Sequence, residues 1–156
     1  MPAADSPEKL IASNKKAFHE YFVLQKVEAG LELTGTEVKS LRDGRAELKD
    51  SYVIFKNGEA FLFGAHIAPY THGNIQNHDP DRTRRLLLHR REIEKLHTQV
   101  AEKGLSVVPL RLYFKGSRVK AEIGVVRGKK LYDKRETEKR READREAAVA
   151  IKTRRS

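Results

Sequence analysis

The stretch Leu110-Arg111-Leu112-Tyr113-Phe114-Lys115-Gly116-Ser117-Arg118-Val119-Lys120-Ala121-Glu122-Ile123-Gly124-Val125 alternates apolar and polar side chains with the period of a half-buried strand. Leu110, Leu112 and Phe114 share one face of a first strand. Val119, Ala121, Ile123 and Val125 share one face of its partner. Gly116-Ser117 between them suits a type II′ turn. The opposite faces carry Arg111, Tyr113, Lys115, Arg118, Lys120 and Glu122. This is a hairpin with one face to bury and one mainly basic face to present.

A second hairpin lies upstream. Tyr52-Val53-Ile54-Phe55 and Ala60-Phe61-Leu62-Phe63 flank Asn57-Gly58, whose residues tolerate the positive φ of a type I′ turn. Further back, Phe18 to Leu24 is rich in aromatic and β-branched residues and reads as a strand, with room to continue to Leu33 past a bend or bulge at Gly30. Thr34 stands three residues before Glu37, the spacing of a capping box. Val38 and Leu41 then share a helical face, and Gly44 supplies the stop. Between the hairpins, His66 to Arg85 holds Pro69, Gly73, Asn74, Asn77 and Pro80 and reads as a long loop. Leu86-Leu87-Leu88 re-enters the core. Ile93, Leu96 and Val100 keep helical spacing over His89 to Lys103, with Gly104 as the stop. The expected architecture is mainly β with helices (α+β). It has about six antiparallel strands, two helices and a third helical turn near residue 10. Closing the strands into a small barrel like the oligonucleotide-binding fold is the simplest way to remove their edges.

The charge is unevenly placed. The chain of 156 residues has 32 Lys and Arg against 22 Asp and Glu, a formal net charge of +10. Residues 127–156 hold 12 basic and 6 acidic residues, more than half of that excess in one-fifth of the chain. This asymmetry points to a polyanion. The segment beyond Asp133 has high helix propensity but few large apolar residues, so it is expected to stay disordered until bound. The organisation follows: a flexible N-terminus over 1–13, a folded domain over 14–126, and a basic tail over 127–156. No stretch approaches the ~18 apolar residues of a membrane span. No apolar signal segment is visible at Met1 to Lys9, and there is no Cys. A cytoplasmic location is expected.

Few residues suggest catalysis. His66, His72 and His78, near Asp79 and Asp81, match no metal-ligand spacing and read as loop histidines. A His- and Asp-dependent RNA hydrolase using this loop is the rival from another class, and a structural ribosomal protein is a third reading. No glycine-rich phosphate loop precedes a helix. Arg82, Arg84, Arg85, Arg90 and Arg91 surround the Leu86 segment. With Lys15, Lys16, Arg111, Lys115, Arg118 and Lys120 they make phosphate contact the favoured role. At the joint Gly128-Lys129-Lys130-Leu131-Tyr132-Asp133-Lys134-Arg135, four cations and the flat ring of Tyr132 lie where domain meets tail.

That joint resembles one in the SmpB family, the bacterial tmRNA-binding (SsrA-binding) proteins of trans-translation. The resemblance is carried by Gly128-Lys129-Lys130 with Asp133-Lys134-Arg135. Asn14-Lys15-Lys16-Ala17, His19-Glu20-Tyr21, Glu28-Ala29-Gly30, Glu37 to Arg42, Asp50-Ser51-Tyr52 and Arg82 to Arg90 match in the same order. It spans roughly Asn14 to the C-terminus. It implies an oligonucleotide-binding-type barrel with flanking helices, no enzymatic activity and no cofactor. The implied partners are the tRNA-like domain of tmRNA and the decoding site and mRNA channel of the small ribosomal subunit. Elongation factor Tu acts with them indirectly. No membrane and no small-molecule substrate are implied. The family's RNA-binding positions fall on Asn14, Glu28 and Leu87, beside the basic candidates Lys15, Lys16, Arg84, Arg85, Arg111 and Lys120. Gly128, Lys129, Lys130, Tyr132, Asp133, Lys134 and Arg135 would serve the decoding site. Tyr132 departs from the His of many members; it keeps a stacking face and loses a titratable group.

Overall fold

Nine strands and three helices build the domain in a computed structural model that describes residues 8–71 and 76–129. In chain order they are β1 (Glu8–Ser13), α1 (Lys15–Glu20), β2 (Tyr21–Leu31), α2 (Gly35–Arg42), β3 (Ala46–Glu47) and β4 (Tyr52–Lys56). There follow β5 (Glu59–Phe63), β6 (His66–Ile67), β7 (Arg84–Leu87), α3 (Arg90–Lys103), β8 (Ser106–Lys115) and β9 (Arg118–Gly128). Seven strands form one antiparallel sheet in the order β1-β8-β9-β2-β7-β5-β4, and β3 pairs with β6 in a separate two-stranded ribbon.

Both hairpins form at their turns. Asn57 and Gly58 take φ of 54° and 75°, as a type I′ turn needs. At the other turn the positive φ falls on Gly116, at 64°. Both long helices start and stop where their sequences direct. The Thr34 N–H donates to Glu37 Oε1 at 2.8 Å and opens α2; the His89 N–H donates to Glu92 Oε1 at 3.0 Å and opens α3. Gly104, at φ 63°, closes α3.

Four expectations need correction. Residues 8–13 are not a mobile arm and contain no helical turn: they form β1, which pairs along Arg111 to Lys115 of β8 and covers that edge. Residues 1–7 lie outside the described set. The ladder is not closed into a barrel, because β1 occupies the β8 edge and the Asn14 N–H donates to Leu110 O at 2.8 Å just beyond it. β4 therefore lies against β8 without a ladder between them. The stretch from Lys15 to Glu20 is helix, so β2 begins only at Tyr21; the Asn14 side chain accepts from the Ala17 N–H at 3.1 Å and caps the turn. The folded ladder also passes residue 126, since Phe22 pairs with Arg127 and Tyr21 with Gly128.

The inner face of the curled sheet holds the main core, which includes Ala29, Leu62, Leu86, Leu96, Leu112, Ala121, Ile123 and Val125. Leu110 leaves that face. A register shift between Pro109 and Arg111 turns it outward, where it packs with Ala17, Val108 and Val126 beneath α1. Gly124 makes room for it: a Cβ there would stand 2.8 Å from Leu110 Cδ1.

Candidate nucleic-acid interface

Cross-strand pairing gathers the outer face into rows. Leu10 pairs with Tyr113, Tyr113 with Lys120, Lys120 with Gly30, and Gly30 with Leu87, so one row crosses five strands. A neighbouring row runs from Arg111 to Glu122 to Glu28. Directly opposed residues in antiparallel strands share a face. The register thus brings Glu28, Leu87, Arg111 and Lys120 together, although they are up to 92 residues apart in sequence. Arg85 joins them, two residues before Leu87 on the same face of β7.

At the centre of this face sits a carboxylate among donors. The Tyr113 hydroxyl donates to Glu28 Oε2, and Lys115 Nζ reaches Glu28 Oε1 at 3.5 Å. The phenol's hydrogen bond, opposed by partial burial and aided by the charges of Lys115 and Lys120, holds the Glu28 carboxyl below the ordinary range. Burial first, and then Glu28, pushes the Tyr113 phenol upward. Arg111 lies 4.9 Å over the Tyr113 ring and donates to Glu122 from Nε at 3.0 Å and from Nη2 at 3.3 Å. Glu28 is therefore an ionised acceptor set among cations. Tyr113 holds it in place, a role the sequence reading missed. The signal was available: Tyr113 and Lys120 fall on the same hairpin face.

Leu87 is 46% exposed although it is a large aliphatic residue in a strand. Gly30 is not a bend. It lies one residue before the end of β2, in regular pairing with Lys120 on one side and Leu87 on the other. A Cβ on it would stand 3.1 Å from Leu87 Cβ, so the glycine lets Leu87 lie across the sheet. The irregularity of β2 is instead between Val23 and Gln25.

Two expected contact residues lie inside the protein. Arg84 is fully buried: its Nε donates to Glu37 Oε2 at 2.7 Å, Nη1 to Ala65 O at 2.9 Å and Nη2 to Pro80 O at 3.0 Å. Strand alternation points it inward while Arg85 points out. Asn14 is 5% exposed, and its amide donates to Pro109 O at 2.9 Å and Leu48 O at 3.3 Å. It joins α1, β8 and the loop before β4. Beside it Lys15 is exposed, and Lys16 Nζ meets Asp50 Oδ1 at 2.7 Å.

The long loop is tied down by the same buried carboxylate. Arg82 donates to Glu37 from Nε at 2.9 Å and from Nη2 at 2.8 Å. Burial alone would raise the Glu37 carboxyl; the hydrogen bonds from Arg82, the Thr34 N–H and Arg84 outweigh it and hold it below its usual range. His78 is spent on Thr36 Oγ1 and Ile67 O, each at 2.9 Å. His66 Nδ1 lies 2.8 Å from Asp81 Oδ1 on the surface. His72 lies outside the described residues. Among the described residues no group of three His, Asp or Glu could hold a metal ion, and no helix is long and apolar enough to cross a membrane.

Of the tail candidates, Gly128 ends β9 and Lys129 follows it. Lys129 Nζ stands 5.1 Å from the centre of the Phe22 ring. Lys130, Tyr132, Asp133, Lys134 and Arg135 lie outside the described residues, as does the expected helix-forming tail.

The described fold and face define a small antiparallel-β protein with a cationic surface suited to a polyanion. The family model described as SmpB protein matches residues 11–153. The chain belongs to the SmpB family. It is 60% identical over 147 residues to an SsrA-binding protein of Geotalea uraniireducens, covering 94% of this chain and 97% of that one. It is 59% identical to an SsrA-binding protein of Geobacter sulfurreducens, covering 93% and 95%. A chain from a solved structure described as "tmRNA-SmpB: a journey to the center of the bacterial ribosome" superposes with a TM-score of 0.65 at 45% identity. That match covers 75% of this chain and 82% of the other.

Proposed function

We propose that this protein binds the tRNA-like domain of tmRNA with the outer face of its sheet and brings that RNA to stalled ribosomes for trans-translation. Family membership supplies the class of partner. The observation that carries the reading is the ionised Glu28 fixed by Tyr113 amid Lys115, Lys120 and Arg111. A pure phosphate clamp has no use for a carboxylate. A carboxylate held between cations accepts hydrogen bonds from base N–H groups or a 2′-hydroxyl while the cations meet the flanking phosphates. Arg85, Lys15 and Lys16 extend the phosphate contacts, and exposed Leu87 offers an apolar seat for a base or ribose. The curled sheet then serves as an oligonucleotide-binding platform without a closed ladder. Asn14 acts from inside, by fixing α1 against β8. The protein works as a binding module, without catalysis and without a cofactor.

The tail is the second half of the reading. Residues from Gly128 through Lys129, Lys130, Tyr132, Asp133, Lys134 and Arg135 enter the empty decoding site and mRNA channel, with Tyr132 stacking on a ribosomal base. Base–aromatic stacking is worth ~1–3 kcal/mol. Elongation factor Tu is a partner through the bound RNA. A chain cut after Lys129 tests both halves at once. It should bind tmRNA as the full chain does and fail to tag proteins on stalled ribosomes. Lost tmRNA binding would place the RNA interface on the tail; normal tagging would remove the tail from the mechanism. The surface pair His66 and Asp81 gives the hydrolase reading its one foothold. His66→Ala should leave RNA intact or cleaved to the same extent as wild type; loss of a cleavage activity would revive that reading.

A further inference from the structure

Phe22 is an aromatic residue at the start of a strand, and it is 44% exposed. It is the register partner of Arg127, in the ladder's second-last pair before the β2–β9 pairing ends at Tyr21 and Gly128. Arg127 Cζ stands 5.8 Å and Lys129 Nζ 5.1 Å from the centre of its ring. Two cations that sit on either side of the last ladder residue thus converge on one aromatic ring. The neighbouring register shift between Val23 and Gln25 bends β2 here. We propose that Phe22 is a positioning residue: its ring clasps Arg127 and Lys129 and so sets the direction in which the chain leaves the sheet toward the tail. Loss of the clasp frees the Lys129 side chain from the ring, and the tail then starts from a wider range of directions. The inference rests on the tail acting at the ribosome, as proposed above. It assigns the aiming of that tail to a residue over a hundred positions upstream.

The chemistry is specific to a π face. A ring attracts a cation through its quadrupole, which an aliphatic side chain of similar bulk lacks. Phe22→Leu keeps apolar volume and removes the clasp, while Phe22→Trp keeps and strengthens it. The test uses the full chain in both variants with four measurements: amide hydrogen exchange at Gly128 and Lys129, thermal unfolding, tmRNA affinity, and the rate of tagging on stalled ribosomes. Phe22→Leu should speed exchange at these two amides and slow tagging, each by roughly fivefold, the size expected for one exposed cation–π contact. Unfolding temperature and tmRNA affinity should match wild type, and Phe22→Trp should restore both readouts. Unchanged exchange in Phe22→Leu would overturn the clasp. Faster exchange with normal tagging would overturn its role in aiming the tail. An equal loss of tmRNA affinity would overturn it too, by making Phe22 part of the RNA face. If the wild-type chain itself failed to bind tmRNA, the reading of the preceding section would fall. The exchange rates would still decide whether Phe22 holds the root of the tail.

Discussion

Glu37 and Glu28 are both acidic residues ringed by cations, and their surroundings give them opposite work. Glu37 is wholly buried, and its three hydrogen bonds from Arg82 and Arg84 are all 2.9 Å or shorter, with the Thr34 N–H adding a fourth. It ties α2, the long loop and the start of β7 into one body. Glu28 is half-exposed, takes a bond from the Tyr113 hydroxyl, and meets Lys115 only at 3.5 Å. It has acceptor capacity left over. A buried ion pair that satisfies all its partners is a structural joint, and removing one member leaves an unpaired charge in the interior. An exposed carboxylate held among loosely engaged cations is instead ready for an outside ligand. The same contrast separates Arg84 from Arg85, adjacent in sequence and on opposite faces of β7.

The contrast can be broken most sharply at Glu37. Glu37→Gln should cost about 3–5 kcal/mol, since Arg84 would be left without its counter-ion. That corresponds to roughly 10 °C or more in unfolding temperature for a domain of this size. The affinity of the folded fraction for tmRNA should not change. The carboxyl lies below its ordinary 4.5 when folded, so its contribution is complete above that value and is lost as pH falls further through the folded pKa. Thermal unfolding followed from pH 6 to pH 3 should show a steeper acid decline in wild type than in Glu37→Gln. Parallel curves would mean that Glu37 does not carry the joint.

Asn14 comes next. Asn14→Ala removes a helix cap and two long-range bonds, and should cost about 2 kcal/mol in chemical denaturation. Any loss of RNA affinity should follow from that. A large loss of affinity with unaltered stability would move Asn14 from the joint class to the contact class.

Glu28→Gln and Tyr113→Phe are expected to show the reverse signature. Each should change stability by no more than ~1 kcal/mol. Each should weaken binding of the tRNA-like RNA about tenfold, which is about 1.4 kcal/mol. Titration of the RNA alongside unfolding curves would read both. Equal damage to stability and binding would make Glu28 a second Glu37.

The smallest effect is expected at single outer-face cations. Lys120→Ala or Arg85→Ala should lower affinity slightly and reduce the slope of log affinity against log salt by about 1, as for one lost phosphate contact. Arg84→Lys should leave that slope alone and lower stability instead. An altered slope for Arg84→Lys would show that the buried arginine reaches RNA.

Much of this protein could be read from local rules. The hairpins were legible because Asn57-Gly58 and Gly116-Ser117 demand particular backbone angles. The helices α2 and α3 were legible because their caps and stops lie within a few residues of one another. The excess charge beyond residue 127 and the ordered match to one family also needed only the sequence. What tertiary structure decided was the destination of particular side chains. Alternation has a period of two, so a single register shift at Pro109–Arg111 sends Leu110 to another cluster, and one at Val23–Gln25 bends the strand near Phe22. Whether Arg84 or Arg85 meets solvent depends on which face of β7 receives Glu37, a residue 47 positions earlier. Whether the sheet closes depends on β1 holding the edge of β8 along Arg111 to Lys115. Charge, turn type and capping are properties of neighbouring residues, and the sequence contains them. Burial, register and pairing belong to strands that meet only when the chain has folded.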